Sequence, residues 1–187
     1  TLEKRGFKIK NIDLGGGIGI NYLSDVGNLN FLKRYVNLIK NVHEKTKKRI
    51  FIEPGRYLTG DSGILVTKIL YKKTTGNKKF LIVDAGMNDF LRPALYNAVH
   101  KIEPIFRSKK ASKQLLNFEV VGPICETADI LVKKALLYKD IKKGDYLFID
   151  KVGAYGSSMS SSYNSKEIAS EVLINRNKVS EIKKRIQ

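Results

Sequence analysis

Two short apolar segments, each running into a glycine-bearing turn, constrain the first third of this 187-residue chain more than any other feature. Residues 8–14 are followed at once by Gly15-Gly16-Gly17, and residues 49–53 are followed by Pro54-Gly55. Between them, residues 32–42 carry apolar side chains at helical spacing. A strand, a helix and a strand within about 45 residues form a βαβ unit, so the pattern predicts two parallel neighbouring strands.

The pattern changes near residue 60. Beyond it, only residues 92–100 are typical of a helix, with Pro93 near the first turn. The rest consists of β-rich runs separated by turn residues, at residues 63–73, 79–84, 118–121, 128–135, 145–150 and 169–174. Several short strands at this spacing predict a mostly antiparallel barrel or sandwich. We therefore expect two parts, residues 1–60 and residues 61–187.

Charge and composition exclude several classes of protein. Lysine and arginine number 35 against 18 acidic residues, which gives a formal charge of +17, while 42% of the residues are hydrophobic. That hydrophobic share excludes a disordered chain. The charge makes nucleic acid the first partner to consider. However, the lysines are spread along the whole chain and no basic region alternates with aromatic residues. We therefore expect a solvated basic surface and no specific nucleic-acid binding.

Compartment and metal content follow from what the sequence lacks. A single cysteine, Cys125, excludes an intramolecular disulfide framework and a multi-cysteine zinc site, so no metal is predicted. No apolar run approaches the ~18 residues of a membrane helix. The first residues do not form a basic and then apolar signal peptide. The expectation is a cytoplasmic protein, or part of one, that does not bind membranes.

The loops after the first two predicted strands carry groups that could bind a phosphate. Backbone N–H groups in Gly15-Gly16-Gly17-Ile18-Gly19 could surround a phosphate, although a tight structural turn explains them equally well. The second strand ends in Glu53-Pro54-Gly55-Arg56. In a (β/α)₈ barrel, a phosphate commonly lies between the loops after the last two strands. The alternative is a structural ion pair between Glu53 and Arg56; we favour binding because both charges follow a strand.

Three later segments carry further reactive side chains. Cys125-Glu126 places a thiol beside a carboxylate, and a thiol can donate a proton near neutral pH, although a lone cysteine is most often a small buried hydrophobe. Arg92 and Tyr96, four residues apart on one helical face, could bind a carboxylate. Tyr155 lies in a turn rich in glycine and serine, for which an ordinary surface loop is the alternative.

The two histidines, His43 and His100, are predicted to lie on helix surfaces, and we assign them no role.

Five segments, residues 15–19, 53–57, 87–96, 122–129 and 153–162, resemble in order and spacing the diaminopimelate decarboxylase family of fold-type III pyridoxal-phosphate-dependent decarboxylases. The resemblance implies an α/β plus β fold. Residues 1–60 would be the C-terminal end of a (β/α)₈ barrel, about its last two βα units, and residues 61–187 a mostly antiparallel β-barrel or sandwich domain. The implied reaction is decarboxylation of meso-2,6-diaminopimelate to L-lysine and CO₂.

The resemblance also implies roles for individual residues. Cys125 corresponds to the proton donor, and Glu53 to the carboxylate that pairs with the protonated ring nitrogen of pyridoxal 5'-phosphate. The implied cofactor contacts are Gly17, Glu53, Pro54, Gly55, Arg56 and Tyr155, and the implied substrate contacts are Arg56, Arg92, Tyr96, Glu126 and Tyr155. In this family the Cys-Glu loop reaches into the partner subunit's site, which implies a homodimer with shared active sites.

The chain departs from the family pattern in some places. The family's cofactor-attaching lysine and its ring-stacking histidine have no matching motif here, so we expect the activity to belong to a complete chain and this portion alone to be inactive. Residues 165–168 replace a stretch usually rich in Arg and Pro, and Val152 stands where a smaller residue is usual. The alternatives are a sister decarboxylase, of the ornithine, arginine or carboxynorspermidine type, or a non-catalytic remnant that binds a partner.

Overall fold

The computed structural model describes residues 2–24, 29–106 and 112–184. The chain divides into two compact units, Thr1–Gly60 and Asp61–Gln187. Among the described residues, no helix has both the length and the apolar character needed to cross a membrane.

Unit 1 (Thr1–Gly60) contains the predicted βαβ arrangement. Its elements are β1 (Asn11–Asp13), α1 (Leu29–Thr46), β2 (Arg49–Phe51) and the short helix α2 (Gly55–Thr59). The two strands pair in parallel, with Asn11 opposite Arg49, which confirms the predicted pairing. Both strands are shorter than the apolar segments from which they were predicted. The hydrogen bonding nevertheless continues past them, because the Leu14 N–H donates to the Phe51 carbonyl at 3.0 Å.

Helix α1 carries its apolar stripe at the predicted spacing. Leu32, Tyr35, Ile39 and Val42 are half-buried, whereas Val36, at the edge of the stripe, is 46% exposed. The helix contacts β2, so the stripe faces the strand that follows it in sequence.

Unit 2 (Asp61–Gln187) is built on a six-stranded sheet with the order β5-β8-β3-β4-β6-β7. The strands are β3 (Leu65–Thr75), β4 (Lys78–Val83), β5 (Ile102–Pro104), β6 (Leu115–Val121), β7 (Ile130–Tyr138) and β8 (Tyr146–Ile149). Four of the neighbouring pairs are antiparallel, as predicted, and β4 with β6 is parallel. The edge strands β5 and β7 contact each other, so the sheet is nearly closed and barrel-like.

The core of unit 2 comes from alternate positions of these strands. Such alternation is expected because successive side chains of a strand point to opposite faces. The fully buried side chains include Ile69, Leu81, Val83, Phe118, Val120, Leu147 and Ile149. The loops that connect these strands therefore begin and end at a packed core of apolar side chains.

Two strands were not predicted. β5 has three residues and ends at a proline, and β10 (Lys178–Lys183), which pairs with β9 (Glu171–Asn175), is mostly polar. Neither segment has an apolar alternation long enough to indicate a strand.

The predicted helix at residues 92–100 is shorter than expected. Helix α3 spans Arg92–Tyr96, because Asn97 adopts a left-handed conformation, φ 51°, and its N–H closes onto the Arg92 carbonyl. The chain then turns inward, so His100 is buried and does not lie on a helix surface. The expectation for His100 was therefore wrong.

Candidate active site

The loops after β1 and β2 are joined by backbone hydrogen bonds within unit 1. The Glu53 N–H donates to the Gly15 carbonyl at 2.8 Å, and the Gly15 N–H donates to the Asp13 carboxylate at 2.7 Å. A Cβ on Gly16 would lie 2.5 Å from the Glu53 carbonyl oxygen, and Gly17 has φ 91°. Glycine is thus required here by close approach and by backbone conformation.

The same loops are open on the side away from that contact. A Cβ on Gly17 would meet nothing within 4 Å, and the Glu53 side chain is exposed. Within the described residues no ion pair joins Glu53 to Arg56, which is half-buried in α2. Backbone N–H groups, a guanidinium and a carboxylate are the groups that a phosphorylated pyridine requires, so these residues fit pyridoxal phosphate.

In unit 2, Arg92 begins α3 with its side chain directed inward. Only 6% of Arg92 is exposed, and its Nη1 lies 3.4 Å from Nε2 of His100. The Arg92 guanidinium carbon lies 5.9 Å from the centre of the Tyr155 ring. The structure therefore brings together Arg92 and Tyr155, which the sequence placed in one site. Tyr96, at the end of α3, is 61% exposed.

His100, which contacts Arg92, is a residue that the sequence reasoning did not assign to this site. It is 2% exposed, and its Nδ1 lies 2.9 Å from the Asp150 carbonyl oxygen. Since a carbonyl only accepts, Nδ1 must carry the proton, which leaves the Nε2 lone pair to accept from Arg92. The Phe90 ring packs edge-on against the imidazole at 4.8 Å. Burial lowers the pKa of His100 and so favours this neutral form.

The loop between β6 and β7 carries Cys125 and Glu126. Both side chains are exposed, so Cys125 is not the buried hydrophobe that a lone cysteine most often is. The Glu126 carboxylate accepts hydrogen bonds from the Thr127 hydroxyl at 3.1 Å and the Ala128 N–H at 3.4 Å. A thiol and a carboxylate therefore stand side by side at the surface of unit 2.

Asp129 holds this loop in place, a role that the sequence analysis did not assign. Its carboxylate accepts from the Ile124 N–H at 2.8 Å and from the Met87 N–H at 2.6 Å. Only 3% of Asp129 is exposed; burial raises its pKa, while the two backbone bonds act in the opposite direction. The carboxylate thus links the Cys-Glu loop to the segment that leads into α3.

Two glycines make room for that carboxylate. A Cβ on Gly122 would lie 2.3 Å from an Asp129 carboxylate oxygen and 2.6 Å from the Gly86 Cα. A Cβ on Gly86 would lie 3.1 Å from the same carboxylate. In the sequence, glycines before a reactive loop indicate that another group approaches the backbone closely, but they do not show which residue it is.

The loop that carries Tyr155 is fixed to the segment at residues 84–89. The Ser161 N–H donates to the Asn88 carbonyl at 2.9 Å. The Lys166 ammonium donates to the Asp89 carboxylate at 2.7 Å and also to the Asp84 carbonyl. Lys166 lies in the stretch that departs from the family pattern, and its contacts show that this stretch is packed. No local pattern could have predicted a partner 77 residues away.

Known proteins resemble this chain in sequence and in fold. The family model for the pyridoxal-dependent decarboxylase, C-terminal sheet domain, matches residues 22–153. Diaminopimelate decarboxylase of Aquifex aeolicus is 42% identical over 99% of this chain and 43% of its own length. The crystal structure of diaminopimelate decarboxylase from Helicobacter pylori complexed with L-lysine has a TM-score of 0.85 at 41% identity, over 100% of this chain and 44% of that one.

A further crystal structure is also similar to this chain. Diaminopimelate decarboxylase from M. jannaschii in co-complex with L-lysine has a TM-score of 0.83 at 33% identity and covers 98% of this chain and 42% of that one. The chain therefore spans less than half the length of the relatives it matches. The family model covers well over half of the chain, which therefore belongs to the pyridoxal-dependent decarboxylases and contains their C-terminal sheet domain.

Proposed function

We propose that this chain is part of a lyase that decarboxylates meso-2,6-diaminopimelate to L-lysine and CO₂ with pyridoxal 5'-phosphate as cofactor. The observation that carries the proposal is the buried Arg92 guanidinium, placed beside Tyr155 in a domain that also presents Cys125 and Glu126. Relatives named diaminopimelate decarboxylase, more than 40% identical, support it. The activity belongs to a longer chain, since this one spans 43% of such a relative.

The proposed cofactor contacts are those that the family resemblance implies. Gly17 and residues 54–56 would bind the phosphate, Tyr155 would contribute a further contact, and the Glu53 carboxylate would keep the pyridine nitrogen protonated. When bound, the cofactor supplies an electron sink for the carbanion that remains after CO₂ departs. The protein's own contribution is to fix the cofactor's orientation and charge state.

The substrate's distal end carries both an ammonium and a carboxylate, and Arg92 and Glu126 offer one partner for each. A guanidinium binds a carboxylate through two parallel hydrogen bonds. Ornithine has no distal carboxylate, so it would leave Arg92 without that partner. Arg56, Tyr96 and Tyr155 complete the proposed substrate contacts.

Cys125 is proposed to donate the proton that replaces CO₂. An exposed thiol on a braced turn can deliver a proton to a carbon centre near neutral pH. We further propose a homodimer in which this loop serves the partner subunit's site.

The proposal is tested on the complete protein with cofactor. Release of CO₂ and L-lysine from meso-diaminopimelate should exceed turnover of ornithine and carboxynorspermidine by at least ~10²-fold in kcat/KM, since a charged binding group strongly rejects an analogue that lacks its partner. Faster turnover of ornithine would overturn the substrate assignment.

A Cys125→Ala variant separates a proton donor from a structural residue. It should lower kcat by about 10²- to 10⁴-fold while the cofactor absorbance stays unchanged. Equal loss of cofactor and activity would instead mean that the cysteine is structural.

A further inference from the structure

His100 connects two parts of unit 2 that the proposed function uses separately. Its Nε2 faces the Arg92 guanidinium at 3.4 Å, and its Nδ1 faces the Asp150 carbonyl at 2.9 Å. Asp150 directly follows β8 and leads into the loop with Tyr155, whose ring lies 5.9 Å from the Arg92 guanidinium carbon. One imidazole therefore links the guanidinium to the backbone that carries the neighbouring tyrosine.

Both contacts are satisfied by one protonation state only. The neutral ring with its proton on Nδ1 donates to Asp150 and accepts from Arg92. A protonated ring would direct an Nε2–H at the guanidinium and place two cations next to each other in a buried position.

We infer that neutral His100 is a positioning residue, which orients the Arg92 guanidinium so that it can bind the carboxylate at the distal end of the substrate. This inference rests on the proposed function. Arginine has a long side chain with many rotamers, so a fixed acceptor reduces the entropy lost when a carboxylate binds. The residue acts through Arg92 and has no role in the bond-breaking step.

The inference predicts a pH dependence of carboxylate binding. The charged groups that face the imidazole are the Arg92 guanidinium from α3 and the Asp150 carboxylate after β8. Burial is the largest influence and lowers the pKa of His100, Arg92 acts in the same direction, and the Asp150 contacts act against them. The ring is therefore neutral at pH 7, and acidification removes the acceptor that holds the guanidinium.

The test compares two ligands of the complete holoenzyme by calorimetry. L-lysine retains the carboxylate that is distal in diaminopimelate, and 1,5-diaminopentane lacks it. As the pH is lowered from 7.5 far enough to protonate His100, which NMR of its imidazole reports, L-lysine should lose about tenfold more affinity than the diamine does, since a lost charge-assisted hydrogen bond corresponds to about that factor.

Two substitutions at position 100 distinguish positioning from packing. In His100→Gln, the amide can donate to Asp150 and accept from Arg92 but cannot be protonated, so L-lysine affinity at pH 7.5 should stay within about threefold of wild type and its extra loss in acid should disappear. His100→Leu keeps an apolar side chain without either hydrogen bond and should raise the KM for diaminopimelate about tenfold, with a smaller change in kcat.

His43 provides a matched control. It is exposed at the end of α1, where its Nδ1 contacts the Lys48 carbonyl at 2.7 Å, so His43→Gln makes the same chemical change and should keep the wild-type pH dependence. Retention of the extra acid loss in His100→Gln would overturn the inference, even if His100→Leu failed to fold. A complete enzyme without activity on diaminopimelate would instead overturn the proposed function.

Discussion

Replacing Asp129 with asparagine should loosen the Cys-Glu loop without changing its shape. The carboxylate accepts from the Met87 N–H at 2.6 Å and the Ile124 N–H at 2.8 Å. In Asp129→Asn the amide oxygen can still accept from one of them, while the amide nitrogen opposes the other. The loss combines a charge-assisted hydrogen bond, about 1.5–3 kcal/mol, with an unsatisfied buried N–H, about 1–3 kcal/mol.

Part of that loss is offset, because burial raises the pKa of Asp129 and asparagine removes the cost of burying the charge. We therefore expect a net loss of about 2–3 kcal/mol in the local opening free energy. At about 1.4 kcal/mol per factor of ten, amide exchange should accelerate by roughly 30- to 140-fold. Hydrogen exchange of the complete protein, read by mass spectrometry over residues 86–90 and 122–129, measures this directly.

The control is Asp140→Asn. Asp140 is exposed, and its carboxylate accepts a bond from the Ser112 N–H at 2.9 Å. The same substitution there should cost less than about 1 kcal/mol. If Asp129→Asn accelerated exchange no more than Asp140→Asn does, the inferred role of the buried carboxylate would be refuted.

Three further outcomes are expected for the complete protein. Gly122→Ala should lower the unfolding free energy by about 2–3 kcal/mol in urea titration, because the added Cβ would lie 2.6 Å from a backbone carbon that cannot move cheaply; an unchanged midpoint would contradict this. Lys166→Met, which removes the ammonium 2.7 Å from the buried Asp89 carboxylate, should cost about 1–2 kcal/mol; Lys78→Met, in a pair whose lysine is 67% exposed, should cost at most about 1 kcal/mol, and equal costs would show that burial is unimportant here. Burial lowers the pKa of His100, so on acidification the unfolded chain binds a proton before the folded chain does. The unfolding free energy should therefore decrease as the pH is lowered past about 6.5, and this decrease should be smaller in His100→Gln.

The local features of the fold could be predicted from the sequence. A glycine run after an apolar segment indicates a strand that ends in a turn, and the β1–α1–β2 order then requires parallel pairing. Alternation of apolar residues indicated most strands of the sheet. The short strand β5 and the polar strand β10 were not predicted, because their stability depends on the strands beside them and not on their own apolar pattern.

The candidate site was predicted only in part. Arg92 and Tyr155 were assigned to one site and lie near each other in unit 2, but their roles in binding remain predictions. His100 was placed on a helix surface, because the apolar spacing continued past Tyr96 while the left-handed conformation of Asn97 ends the helix there.

The sequence indicated most of the helices and strands, led us to expect two parts that meet near residue 60, and singled out reactive side chains whose roles remain predictions. Which groups hold those side chains depends on contacts that form only when the chain is packed. Asp129 reaches an N–H 42 residues away, Lys166 a carboxylate 77 residues away, and His100 a carbonyl 50 residues away. Local propensity extends over a few residues, whereas these buried polar groups bind whatever partner the packed sheet brings within hydrogen-bond distance.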